Sequence, residues 1–186
     1  MPVRHKDKNI LAMNLKDEYN KSFIQELGNK LQSKSTSFDV DSFVNSIINK
    51  DWKQRELKDR MRFVTINLNA HLNYSYPEQI EILGQIVMDY GGLKGMVFPD
   101  FVQVYGLEDL YTSLKALELF TQYSTAEFAI RPFIEKYPTE TMQQMLDWST
   151  HENEHLRRLA SEGCRSRLPW APKLNEFIKD PSSVLP

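Results

Sequence analysis

The sequence predicts an all-α protein, and three features of its pattern carry that prediction. Apolar residues recur every three or four positions along almost the whole chain, which is the period of an amphipathic α-helix. Glycine and proline fall between these segments, where helices end and begin. The segments are short and follow one another directly, so antiparallel helix pairs are expected. Pairs stacked in order form an α-solenoid; a compact helical bundle is the alternative, because no exact sequence repeat is present.

Four helices are expected in the first half of the chain. The first stops at a serine-rich loop, residues 33–37, and the last stops before the glycine pair Gly91-Gly92. The expected helices cover residues 15–31, a segment that opens at Asp39, residues 52–72, and a segment with Pro77 in its first turn. Their core-facing residues are predicted to be Tyr19, Phe23, Ile24, Leu27, Leu31, Phe43, Val44, Ile47, Ile48, Ile80, Leu83, Ile86 and Val87.

The second half predicts five shorter helices. Pro99 opens one that Gly106 breaks, and the next turns Leu110, Leu114 and Leu117 towards the core. The expected bounds are 99–105, 107–120, 126–136, 139–148 and 153–162.

Composition indicates an ordinary globular chain. Of 186 residues, 41% are hydrophobic and 26% are charged, which is enough to bury one substantial core. We expect a flexible N-terminal arm over residues 1–13 and a single domain over residues 14–186. The lone Cys164 excludes an internal disulfide framework and favours a cytoplasmic address, and neither a membrane span nor a secretory signal is recognisable.

The segment from Asn153 to Trp170 has a strong local charge. Between Asn153 and Lys173 five basic residues face two acidic ones, whereas the whole chain has 23 basic and 25 acidic residues. Helical spacing gathers the arginines around Glu162, an arrangement suited to phosphates, although a solvated outer face gives the same pattern. Gly163 is expected to end the helix in a left-handed conformation, which puts Glu162 where the helix dipole disfavours a carboxylate. The arginines are Arg157, Arg158, Arg165 and Arg167.

Two other patterns have structural alternatives. Ser124 and Glu127 fit a capping box, and Arg131 could pair with Glu127 one helical turn later, although Pro132 implies a kink or a restart there. His151 and His155 lie four residues apart, a spacing compatible with a metal, but no third ligand has a suitable spacing. We therefore expect no metal, and the absence of a glycine-rich phosphate loop leads us to expect no cofactor.

The same residues resemble a known family. The run Asn153–Trp170 follows the pattern of the AlkC-type DNA alkylation repair glycosylases, Asn-Glu-His-x-Arg-Arg-x-x-Ser-Glu-Gly-x-Arg-x-Arg-Leu-Pro-Trp. The resemblance extends through 101–106, 124–133, 171–174 and Asp180-Pro181. It implies an α-solenoid of HEAT-like helical repeats, an architecture shared with the AlkD-type enzymes.

The resemblance also implies a function and a site. It predicts a DNA repair glycosylase, or the N-terminal fragment of one, that hydrolyses the N-glycosidic bond of cationic N-alkylated bases such as 3-methyladenine. Double-stranded DNA is the expected partner, and the bacterial nucleoid is the expected working location. Glu127 and Glu162 match the family's active-site carboxylates, and Trp170 matches the residue that lines its lesion pocket. The residues expected to bind the DNA backbone are Arg131, Arg157, Arg158, Arg165 and Arg167.

One departure from the family leaves an alternative open. The family pattern continues beyond the position of Pro186 into another repeat, whose Asp is expected to position the attacking water. A chain without that repeat is expected to expose apolar surface near Leu174, Phe177 and Ile178 and to self-associate. The alternative function is a non-catalytic helical-repeat module that binds DNA or a protein.

Overall fold

The computed structural model describes residues 14–169 and 171–184, and within them the regular structure is helical, with no strand. The all-α prediction is confirmed. The predicted arm over residues 1–13 and the predicted lesion-binding Trp170 lie outside the described residues. The α-helices are α1 (Lys21–Lys34), α2 (Val40–Ile47), α3 (Leu57–His71), α4 (Tyr76–Gly84), α5 (Gly92–Gly95), α6 (Val97–Tyr105), α7 (Leu110–Phe120), α8 (Arg131–Lys136), α9 (Pro138–Ser149), α10 (Glu154–Gly163) and α11 (Asn175–Lys179). Short 3-10 turns cover Leu15–Glu18, Trp52–Gln54, Val87–Asp89 and Ser182–Val184.

Helices that follow one another pack against one another. Helix α1 packs on α2, α2 on α3, α6 on α7, α8 on α9, and α9 on α10, while α3–α6 and α4–α7 contacts join successive pairs. The predicted core residues form the buried apolar interior, except that Ile48 and Ile80 are only half-buried at its edge. The stacking of neighbouring pairs is what the apolar period of the sequence predicts.

Several of the described helices begin at a side chain that caps the first free backbone N–H groups. Asp39 accepts a hydrogen bond from the Ser42 amide, as its predicted position before α2 requires. Asn20, Asp109 and Asn153 accept in the same way before α1, α7 and α10. Each cap stabilises its helix by about 1 kcal/mol.

The predicted helix over residues 126–136 is wrong in its first half. Residues 126–130 form a turn, and α8 begins only at Arg131, with Pro132 in its first turn. The capping box does not form, because no helix begins at Ser124. The Ser124 hydroxyl donates to the carbonyl oxygen of Gly92, at 2.7 Å. Glu127 lies in the turn and caps no helix.

Arg131 is buried and connects α8 by hydrogen bonds to the segment that follows α10. Its side chain is 1% exposed. The guanidinium donates to the carbonyl oxygens of Gly163, Arg165 and Pro172 at 3.0, 2.7 and 2.7 Å, and to that of Ser166 at 3.4 Å. Burial lowers the pKa of this guanidinium, while the negative charge of Glu135 opposes that effect. The loop after α10 is thus held in place by hydrogen bonds from Arg131 to its backbone carbonyl oxygens.

Gly163 brings α10 close to the turn before α8, but not by a left-handed conformation. It is the last residue of α10, and among the described glycines only Gly92 has a positive φ, of 57°. A Cβ at Gly163 would lie 2.7 Å from Cγ2 of Ile130 and 3.1 Å from Cε of Met145. Glycine is therefore required here for the close approach of two elements.

The C-terminal residues expose less apolar surface than expected. Leu174 is buried at 3% exposure, and its amide donates to the carbonyl oxygen of Ser166, which closes the loop after α10. Phe177 is half-buried against the core, and Ile178 remains 40% exposed. The expectation of exposed apolar surface is therefore wrong for Leu174. No described helix combines the length and apolar character needed to cross a bilayer.

Replacing Arg131 by Met should lower the free energy of unfolding by about 3 kcal/mol, because buried carbonyl oxygens would lose their donors. Urea denaturation measures the change. Arg167→Met on the same loop is the control, since Arg167 is exposed, and should shift stability by less than about 0.5 kcal/mol. Equal losses in the two variants would contradict a structural role specific to Arg131.

Replacing Gly163 by Ala should cost about 1–3 kcal/mol, because the added methyl group would overlap Ile130. Gly91→Ala is the matched control, since a Cβ there would first meet the Tyr123 carbonyl oxygen at 3.8 Å. Thermal unfolding of both variants followed by circular dichroism checks the difference. Indistinguishable melting temperatures would show that α10 can move away without penalty.

Candidate active site

Glu127 and Glu162, 35 positions apart in the sequence, line the same cleft. The cleft has a volume of about 300 Å³ and lies between the turn that carries Glu127, the end of α10 and the loop that follows it. Arg158, Arg165 and Lys58 of α3 are its basic lining residues, and Met61, Phe128 and Leu168 are among its apolar lining. The fold therefore brings both predicted catalytic carboxylates to one place.

Glu127 is almost completely buried, with 4% of its surface exposed. The turn that holds it is closed by the amides of Ala129 and Ile130, which both donate to the carbonyl oxygen of Ala126. Its Oε1 lies 3.1 Å from Nε of Arg158. Its Oε2 is buried and has no hydrogen-bond partner among the described residues. A buried carboxylate oxygen without a donor is costly, so this atom is available to a ligand that brings a positive charge or an N–H group.

Glu162 occupies the last turn of α10, where the helix dipole disfavours negative charge. Arg165 compensates, since its Nη1 lies 2.7 Å from Oε2 of Glu162. The Glu162 side chain is 28% exposed and that of Arg165 is 56% exposed. This carboxylate therefore faces solvent at the mouth of the cleft, in contrast to the interior position of Glu127.

The predicted arginines do not share one surface. Arg158 and Arg165 lie on the cleft, and Arg167 is exposed on the loop after α10. Arg157 donates to the carbonyl oxygens of His151 and Glu152 and lines a different groove, between α9 and α10. The expectation that Arg131 binds DNA phosphates is wrong in this geometry, because its guanidinium is buried and committed to carbonyl groups.

A second cleft of about 360 Å³ adjoins the first and shares Glu127 and Arg158 with it. His155 of α10 and Tyr123, which precedes the Glu127 turn, contribute to its walls. The sequence pattern did not single out Tyr123 or Lys58. Lys58 lies 69 positions before Glu127, and no local spacing links the two.

The described residues hold no group of three or more His, Cys, Asp or Glu side chains placed to bind a metal. Nδ1 of His151 accepts a hydrogen bond from the Asn153 amide, so this histidine supports the start of α10. Burial raises the pKa of the Cys164 thiol, whose Sγ lies against the carbonyl oxygen of Ala160. A raised pKa disfavours the thiolate, so the structure does not prepare Cys164 as a nucleophile.

Comparisons with known proteins extend the resemblance beyond the motif. A Bacillus subtilis (strain 168) protein described as "Uncharacterized protein YhaZ" is 45% identical over 172 residues, which cover 92% of this chain and 48% of the relative. The structure of Pseudomonas fluorescens alkylpurine DNA glycosylase AlkC, bound to DNA containing an abasic site analog, superimposes with a TM-score of 0.88 at 32% identity. That match covers 94% of this chain and 49% of AlkC. No protein-family model matches the chain.

The chain thus spans about half the length of each of these two relatives. Within that half, the likeness includes the first third of the chain, where the motif resemblance was weak, and it includes the arrangement of the helices. By sequence motif and by fold, this chain is a relative of the AlkC-type DNA alkylation repair enzymes.

Proposed function

We propose that this chain is a DNA repair glycosylase, or the N-terminal part of one, that releases cationic N-alkylated bases such as 3-methyladenine from duplex DNA. The proposal rests on one observation above all. Two carboxylates from distant parts of the sequence line one cleft, and one of them presents a buried oxygen without a partner. The similarity to AlkC supports DNA as the partner.

The chemistry of the substrate suits such a site. A base alkylated at a ring nitrogen is cationic and leaves readily, so the positive charge of the transition state builds up on the deoxyribose. Fixed carboxylates near the sugar stabilise that charge in a site where water does not screen it. Glu127 is buried enough to act in this way, and Glu162 at the mouth would act on the same group from the opposite side. No strong general acid is required.

The exposed arginines have a separate role in this proposal. Arg158, Arg165 and Arg167 would hold backbone phosphates, which positions the duplex without reading its sequence. Trp170 would stack on the lesion, since an aromatic face prefers a cationic base to a neutral one by roughly 0.5–2 kcal/mol. Arg157 points to another groove and Arg131 is buried, so neither belongs to this group.

A non-catalytic DNA-binding module is the second candidate, and one observation favours it. Both carboxylates are ion-paired with arginines, as they would be if their role were only to hold the surface together. The two candidates differ in what happens when a carboxylate is neutralised. A catalyst loses activity, whereas a binding module close to phosphates keeps or gains affinity.

Release of free base from N-methylated duplex DNA under single-turnover conditions tests the proposal. Glu127→Gln and Glu162→Gln should each slow release by about 100-fold, the effect typical of losing one electrostatic contact to a transition state. Both variants should still bind the duplex. Glu152→Gln is the control: Glu152 is exposed and lies outside both clefts, so this variant should leave release unchanged. Glu118 is unsuitable as a control because it accepts a hydrogen bond from Trp148. Duplex binding without any release by the unchanged chain would favour the binding module.

The arginine assignment predicts the salt dependence of duplex binding. Arg165→Gln and Arg167→Gln should each reduce the slope of log Kd against log salt concentration by about one, because each would remove one phosphate contact. Lys115→Gln removes the same charge from an exposed position on α7, outside the clefts, and should change the slope much less. Fluorescence anisotropy across a salt series measures all three. Equal slopes would mean that the loop after α10 does not touch the backbone.

A further inference from the structure

The ion pair between Glu127 and Arg158 joins a buried group to an exposed one. The Glu127 side chain is 5% exposed, whereas that of Arg158 is 60% exposed. Removing the guanidinium from this contact would leave the carboxylate buried without this ion pair, which is unfavourable. The guanidinium itself is already largely hydrated, so it loses little when it leaves. The ion pair is therefore stabilised mainly because the buried carboxylate is costly without a positive partner.

Arg158 also lies where the two clefts adjoin. The cleft that contains Glu162 and the cleft that contains His155 both have Glu127 and Arg158 in their walls. The guanidinium is thus a positive charge placed beside Glu127 at the boundary between two spaces of about 300 and 360 Å³. A ligand that approaches Glu127 from either side meets Arg158.

Two other arginines close to this region make different contacts. Arg165 lies on the other carboxylate, with its Nη1 2.7 Å from Glu162. Arg131 is turned towards the carbonyl groups of the loop after α10. The second oxygen of Glu127, Oε2, has no partner among the described residues, so the carboxylate has unused capacity for a donor.

We propose that Arg158 is an internal substitute for the positive charge of the lesion: it neutralises Glu127 in the free protein and is displaced when a positively charged nucleotide enters the cleft. The inference rests on the proposed function for its ligand. Only a cation can take over the counter-charge, so a neutral nucleotide would have to break the ion pair without replacing it. Arg158 is then a specificity-determining residue, and its released guanidinium can turn to a phosphate.

Binding of two abasic-site duplexes tests this without requiring catalysis. One duplex carries a pyrrolidine abasic analogue, which is cationic, and the other carries the neutral tetrahydrofuran analogue of the same shape. The quantity to compare is the ratio of their Kd values, because phosphate contacts affect both duplexes equally and cancel. Arg158→Gln should increase the preference for the cationic duplex by roughly tenfold, since the ligand no longer has to displace a charge-assisted contact.

Three further variants complete the test, each checked for folding by circular dichroism. Arg158→Lys keeps a cation but cannot make the same contact, so it should raise the preference by a smaller factor. Glu127→Gln should reduce the preference strongly, leaving what Glu162 contributes, and adding Arg158→Gln to it should produce no gain. Lys115→Gln controls for the loss of one positive charge and should leave the preference as it is in the unchanged chain.

An unchanged or lower preference in Arg158→Gln would overturn the inference, since Arg158 would then assist the cation or be indifferent to it. Base release measured on the same preparations separates this result from the proposed function. Release by the unchanged chain, with no response of the preference to Arg158→Gln, overturns only the inference. A preference that rises as expected, with no release by any form, supports the exchange of cations and removes the catalytic role.

Discussion

The hydrogen bonds from buried Arg131 to the carbonyl groups after α10 are the constraint on which the candidate site depends. Arg131 begins α8, four residues after Glu127, and it holds the carbonyl oxygens of Gly163 and Arg165, which follow Glu162. The positions of the Glu127 and Glu162 carboxylates are therefore both fixed relative to the Arg131 guanidinium, through short stretches of backbone. Several donors in a fixed planar arrangement set the position of the loop more sharply than one contact would.

The close approach of α10 to Ile130 at Gly163 and the hydrogen bonds of Arg131 both position the end of α10. Gly163 removes the side chain that would keep α10 away from Ile130, and Arg131 then reaches the carbonyl groups at the end of that helix. The result is a cleft with one buried and one partly exposed carboxylate, each neutralised by an arginine nearer to solvent.

The sequence was sufficient for the helical architecture, because apolar period and helix caps act locally. Asp39 and Asn153 could be recognised as helix starts, and the interior positions of Phe23 and Leu117 follow from spacing alone. The turn at residues 126–130 was not predicted, because Ser124 and Glu127 fit a capping box in the sequence, whereas the contact of Ser124 with Gly92 exists only in the folded chain. The role of Arg131 was also inaccessible, since the sequence shows a charge but not the distant carbonyl groups that surround it. Motif resemblance predicted Glu127 and Glu162, which line one cleft, but it did not separate Arg158 and Arg165 on that cleft from Arg157 on another groove.

A loop that is held through its carbonyl oxygens is held independently of its side chains. Every residue type offers the same acceptor, so the identities of Arg165 and Ser166 can change while Arg131 keeps its partners. The segment beside the cleft can therefore acquire new charges or shapes without losing its anchorage. In this fold, the backbone carbonyl oxygens of the loop anchor it to Arg131, while the side chains of the same residues determine what the loop presents to a ligand.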